Sequence, residues 1–542
     1  MNTTTADTKK GILALLSSLV LAACGGGGSG GAGGGNNGGA SAGFVVAARA
    51  NPAEINIYRV DQPNVPIGTI AGARFTQSLG TPRIGTAWGV PAGGKYSRIG
   101  IFTSSTPLVL GEEAGHTYDF IDLIPSAVAR LAWVDCATPT SCGVTSSLLD
   151  GTDMRTLHSG CTDIVVNAAK VGEAGVAFRC AMPGPVNEWW FSDGVAAAFK
   201  LAAPAPGDDA RSLQALTAGR AIFRHPVERH LVTQPLAAAS TESNLVEPDQ
   251  MRIEHDLLSL NGRTSFGGRL LVRRTDVNVT GVGRYELRTM NDDGTDQDIE
   301  IASAGVPFLL DVSPDGARFL ALIIDKDGAG TNDEIWGFAF SIDPTGDVVA
   351  FTEGNVATAG SNGLDARFTA DGKVAINHEN GWHLFEPTGA LIPGANVTPD
   401  PRYSWAGTKG SWFYVYAPLG TPQNFIAAKS DGTLADISLN APNPLPVHRA
   451  DGVLLFVDGN GDAWLSVYNP TSGLFEASPI EAIDALRVDE AGEGPGNRVF
   501  LTLTLLNGGN VDQDVVMFDL DDRTTTPLVS GATSDTGFFF PN

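Results

Sequence analysis

Four groups of residues have the types and spacing to do chemistry. Cys136, Cys142, Cys161 and Cys180 lie within 45 residues of one another; four thiols pair in three ways, or hold a metal. Their spacing is not two C-x-x-C pairs, which argues against a zinc site. In "NHENGWH", an Asn380-Gly381 turn would place His378 and His383 opposite each other on paired strands, near enough to share a metal ion, though no third ligand is evident. "DKDGAGTNDE" presents Asp325, Asp327, Asp333 and Glu334 around glycines, a pattern that can wrap calcium. "DGNGD" offers Asp458, Asn460 and Asp462, but Asn469 stands where the bidentate glutamate of a complete calcium loop belongs. Asp-Gly is also an ordinary hairpin turn. No G-x-S-x-G, H-E-x-x-H or P-loop occurs, so no catalytic residue is assigned.

A fifth cysteine belongs to a different chemistry. Lys9 and Lys10 precede an apolar stretch, Gly11 to Ala23, too short to cross a bilayer as a mature helix and shaped like an export signal. It ends in Leu21-Ala22-Ala23-Cys24, which resembles the lipobox of bacterial lipoproteins. The resemblance implies cleavage before Cys24, diacylglycerol on its thiol, and anchoring by two or three acyl chains, where one chain binds only reversibly. Twelve of the next nineteen residues, Gly25 to Gly43, are glycine and none is charged, the composition of a flexible tether. Gly25 replaces the aspartate that retains enteric lipoproteins at the inner membrane; the resemblance implies the outer membrane, with either leaflet open. In that oxidising compartment the remaining four cysteines read as disulfides.

The rest of the chain must position these groups. About 500 residues exceed what one core usually serves, implying two domains or one large repeat. A formal charge of -25 and a pI near 4.6 argue against nucleic acid and against docking on anionic lipid by charge. Contact with the membrane is therefore expected through the N-terminal lipid alone.

Short apolar runs between Gly, Asp, Asn and Pro clusters give an all-β reading. Residues 44–125 include "VPAGGKY" and "AGHTYDF" and resemble the DUF4397-type β-sandwich domains of exported proteins, which carry no catalytic residues to transfer. Beyond Pro125, nine segments share one build: "RLAWVDC", "GVAFRCA", "RAIFRHP", "RLLVRRT", "RFLALII", "KVAINHE", "SWFYVYA", "VLLFVDG" and "RVFLTLT". They recur every 38 to 55 residues or so, the period of four-stranded propeller blades. "SPDGARF", from Ser313, resembles the turn of TolB-type and other PD40 propeller repeats. Nine units exceed the usual four to eight, so seven or eight blades are expected, with "TGFFFPN" closing the ring.

These strands choose among the disulfides. Cys136 ends an outgoing strand and Cys142 begins its return. Cys161 precedes the first strand of the next unit and Cys180 ends the second, so the expected pairs are Cys136 to Cys142 and Cys161 to Cys180.

The expectation is thus an all-β lipoprotein: signal peptide 1–23, tether 24–43, immunoglobulin-like sandwich 44–125 and propeller 126–542. It would act in binding or scaffolding at the cell envelope, with envelope proteins or a surface polymer as partners and no cofactor beyond possible calcium. The alternatives are a hydrolase or lyase, which would gather carboxylates or histidines in one pocket, and a surface adhesin or glycan-binding protein.

Overall fold

The computed structural model describes residues 44–540 except 51, 60–61, 80–83, 126–127, 167–168, 173, 184–186, 203–210, 227–229, 247–252, 259–268, 317, 325–335, 343–346, 356–364, 379–380, 397–403, 410–411, 417–423, 430–432, 439–444, 451–452, 458–461, 470, 485–486, 494–497, 508–509, 520 and 530–536. Cys24, its signal and its tether, and Asp325, Asp327, Asp333 and Glu334 of the first acidic loop, lie outside the described residues, as do Asp458 and Asn460 of the second.

Among the described residues the chain is all-β, and the propeller architecture is evident in its sheets. Ten antiparallel sheets occur, mostly four-stranded and built from consecutive strands. The eight-stranded sheet is two such units, 74–111 and 117–161, joined by a single bridge between Tyr96 and Tyr118. Each of the nine segments recognised in the sequence is the second strand of its unit, from Arg130–Thr138 to Arg498–Asn507. These strands are packed on both faces, so they read as continuous apolar runs. Leu270, Leu271 and Val272 are all buried, for example, on the second strand of unit 253–303.

Consecutive units bury their facing sides against each other. The unit 117–161 meets 163–201 through Val134, Val144 and Phe178; 212–244 meets 253–303 through Ile222, Leu270 and Met290; 307–355 meets 365–396 through Leu320, Phe368 and Phe385. Each such side chain, fully buried, contributes about 1.5–3 kcal/mol. The chain ends then meet: Gly537–Phe540 pairs with Phe44–Ala50, register Phe44 to Phe540, so the C-terminal strand completes the first sheet, as expected of "TGFFFPN".

The sheets do not follow the boundary expected at Pro125. Strands 44–71 and 74–111 pair among themselves, but the sheets that hold residues 44–125 also take in strands from outside that span. Phe44–Ala50, Ala53–Arg59 and Gln62–Ala71 form a four-stranded sheet with the C-terminal strand, and Thr117–Ile124 pairs with Arg130–Thr138 across the boundary expected at Pro125. Among the described residues all nine sequence units are present, and residues 44–111 contribute further strands of the same kind. The physical reason is that a propeller closed by strands from both termini needs no local sequence partner for its first unit.

The turns explain the motif spacing. In Ser313-Pro314-Asp315-Gly316, Gly316 sits at φ +71°, its N–H donates to Ser313 O at 2.7 Å, and the Ser313 hydroxyl receives the Arg318 N–H at 2.8 Å. Thr369 and Gly372 repeat the turn in the next unit, with Gly372 at φ +84°. Arginine at the head of the second strand also has a structural role: Arg130 pairs with Asp153 at 2.7 Å and Arg318 with Asp347 at 3.1 Å, clasping the outer hairpin of their own units.

Candidate functional site

The two expected disulfides are present, Cys136 to Cys142 and Cys161 to Cys180. The first joins neighbouring strands of one unit, Cys142 lying opposite Cys136. The second is placed differently from the sequence reading: Cys161 ends the last strand of unit 117–161, so this bridge ties one unit to the next. Cys142 is also the register partner of Cys161, which sets three of the four cysteines in a row across adjacent strands. Lys95 Nζ stands 3.3 Å from Cys136 Sγ.

The histidine pair does not take the expected register. His378 lies opposite Gly381 and His383 opposite Ile376, so the two histidines are not register partners. Gly381 begins the returning strand, at φ +97°.

A site the sequence reading missed lies between units 212–244 and 253–303. Ser212, Arg224, His225, Pro226, Glu254 and Asp256 line a cavity of about 450 Å³. Glu254 and Asp256 come from the first strand of the later unit, Ile253–Leu257, where period-2 geometry puts both on one side. Arg224 ends the second strand of the earlier unit and reaches across the seam, 3.0 Å from Asp256 and 3.7 Å from Glu254. Arg273, opposite Asp256 in its sheet, approaches the other carboxylate oxygen at 2.8 Å.

Behind this wall lies a second, more buried set. The Arg211 side chain is fully buried and ion-paired with Glu242, which is 8% exposed. Its guanidinium also donates to Ala202 O at 3.0 Å and lies 4.0 Å over the Phe223 ring. The other oxygen of Glu242 is 3.0 Å from His225 Nε2, and His225 stacks on His230 at 4.8 Å with the rings nearly parallel. Guanidinium, carboxylate and imidazole thus form a chain from the interior to the cavity. The Ser212 hydroxyl accepts from Gln214 Nε2 at 2.8 Å.

The arrangement can recognise a polar ligand: donors and acceptors are fixed by two units, and each carboxylate is held by a guanidinium. Sequence reasoning passed over it because its members come from separate strands and loops. The available signal was the alternation in "IEHDL" beside the basic "RHPVERH".

No protein-family model matches the chain, and no curated protein matches it. Among solved structures, a puromycin hydrolase is 16% identical over 68% of this chain and 54% of its own, with a TM-score of 0.26. The chain therefore spans about half the length of that hydrolase. TolB from Acinetobacter baumannii is 12% identical over 61% of this chain and 82% of its own, TM-score 0.23. The β-propeller domain of the Trilobed protease from Pyrococcus furiosus is 12% identical over 59% and 99%, TM-score 0.27. Superpositions this loose carry no argument about activity.

Proposed function

We propose that the protein is a lipid-anchored binding or scaffold protein of the cell envelope, held to the outer membrane through Cys24, with the propeller as its interaction surface. The observation that carries the binding reading is the cavity between units 212–244 and 253–303. Its Arg224, Glu254 and Asp256 are engaged with one another across the seam, so the groups are preorganised and the cavity is close to charge-balanced. Such a wall suits a hydroxyl-rich or zwitterionic partner, a segment of surface polymer or a polar protein loop. The tether supports the same reading, since it would let the propeller reorient above a lipid surface.

The test has two parts. Labelled fatty acid should enter the wild-type chain and not Cys24→Ala, which should leave the membrane fraction. Envelope oligosaccharides or peptides retained by the wild type should be lost from Asp256→Ala and Arg224→Ala. Acyl label on Cys24→Ala would end the anchor assignment, and unchanged retention by both cavity variants would end the site assignment.

One observation favours a hydrolase or lyase as the second reading: Glu242 orients His225 toward a cavity that Ser212 also lines. It requires turnover of an envelope ester or glycan that His225→Gln abolishes while binding persists.

A further inference from the structure

The disulfide between units 117–161 and 163–201 has unusual neighbours. His158 Nε2 lies 3.8 Å from Cys180 Sγ, and the ligand atoms of His158, Cys161 and Cys180 all fall within 4.8 Å of one another. Met182 Sδ, two residues beyond Cys180, stands 3.4 Å from the same sulfur. One imidazole nitrogen, two cysteine sulfurs and a thioether therefore gather at one point, supplied by "HSGC" and "CAM" from adjoining units.

The setting is rigid. Cys161 and Cys180 are fully buried, and the His158 ring is held against Trp190 at 3.9 Å between centroids. His158 itself is only half-buried, and the two residues between it and Cys161, Ser159 and Gly160, are exposed, which gives a route from solvent.

We propose that reduction of the Cys161–Cys180 disulfide unmasks a copper(I) site formed by His158, Cys161, Cys180 and Met182. In a tetrahedral site with metal–sulfur bonds of about 2.3 Å, donors stand roughly 3.8 Å apart, the separation that His158 Nε2 and Cys180 Sγ already have. Two thiolates and an imidazole would also suit zinc, but the thioether of Met182 is a soft ligand of the kind that copper(I) takes and zinc sites do not use. The redox step balances with a dithiol as reductant. It gives two electrons and two protons to the sulfur–sulfur bond and becomes a disulfide, leaving Cys161 and Cys180 as thiols. Copper(I) then displaces both thiol protons to solvent. While the bond is intact both sulfurs are committed to each other, so metal binding follows the redox state of the envelope. This goes beyond the binding role proposed above and does not depend on it.

The test uses the full chain with Cys136→Ser and Cys142→Ser, which removes the neighbouring thiol pair. Protein reduced anaerobically with a phosphine is titrated with copper(I) against bicinchoninate, with the β-sheet circular dichroism followed throughout. One copper(I) per chain is expected after reduction and none before it, with affinity lowered at least tenfold by His158→Ala and by Met182→Leu. If the double-serine chain does not fold, the unsubstituted chain is compared with its Met182→Leu variant, because the thioether belongs to this donor set. Equal copper binding before and after reduction, unaltered affinity in both ligand variants, or thiols that appear only as the β-sheet signal is lost would each overturn the proposal.

Discussion

Two seams in the ring are held by opposite means. Between units 117–161 and 163–201 the join is covalent and apolar: the Cys161–Cys180 bridge runs through a core that includes Val134, Val144, Leu157 and Phe178. Between units 212–244 and 253–303 the inner contact is apolar too, through Ile222 and Leu270, but the rim is ionic, with Arg224 spanning to Glu254 and Asp256. The difference teaches where function has room. The first seam offers buried sulfur and imidazole donors at its disulfide, whereas the second carries long charged side chains on a cavity of about 450 Å³.

The comparison breaks most severely at the buried end of the ionic seam. Glu242→Ala leaves the fully buried Arg211 guanidinium without its carboxylate, and removing one partner of a buried ion pair typically costs about 3–5 kcal/mol. Urea unfolding should show that loss; a change under about 1 kcal/mol would mean that water already reaches the pair.

The covalent seam should yield less. Chain-entropy scaling assigns about 3 kcal/mol to a loop the size of that closed by Cys161 and Cys180 and about 2 kcal/mol to the shorter one, the sequence separations being 19 and 6. Paired alanine variants of each bridge, compared by urea midpoint, should keep that order. The reverse order would show that the bridge between units matters less than the one inside a unit.

Smaller still is the effect of Asp256→Asn at the rim. The side chain is 24% exposed and shared by Arg224 and Arg273, so the expected loss is about 1 kcal/mol. Binding at the cavity should suffer more than stability, and equal losses would argue that Asp256 serves only the seam.

Which parts of this were legible in the sequence follows from where each pattern is encoded. The nine second strands are buried on both faces, so their apolar runs stand out locally, and both disulfides follow from strand ends near them in the chain. The first unit is different, because its fourth strand, Gly537–Phe540, comes from the other terminus and no local period announces it. Trp88 and Tyr96, packed in units that continue the ring, sit in Gly-rich hairpins that read equally well as a sandwich. The histidine pair takes another register, His383 facing Ile376 in place of His378, a difference that no local residue type announces. The cavity was hidden for another reason: Ser212, Arg224, Glu242 and Asp256 have no common spacing, and only the stacking of two units brings them together.

A third seam sharpens the contrast through pH. Between units 307–355 and 365–396, Asp311 accepts the Phe368 N–H across the seam and its own neighbour's N–H from Val312, both at 2.8 Å. Asp365 accepts the Ala366 N–H at 2.9 Å and lies 3.3 Å from Arg367. Burial is the chief influence on both carboxyls and raises them above the ordinary 3.8, outweighing the hydrogen bonds and Arg367, which pull the other way. For such a group the native state holds a proton that the unfolded chain has already released, so the stability it contributes falls as pH rises through the window from 3.8 to the raised native value. Asp293 and Asp519 act on the other side of 3.8: the Thr295 hydroxyl and Arg498, respectively, lower them, and their contribution is lost as pH falls through those depressed values. Asp365→Asn removes one titrating group from the upper window, so its unfolding free energy, measured in urea at a series of pH values above 3.8, should decline less steeply with pH than that of the wild type. Parallel curves would show that Asp365 is solvated enough to titrate normally, and that this seam admits water.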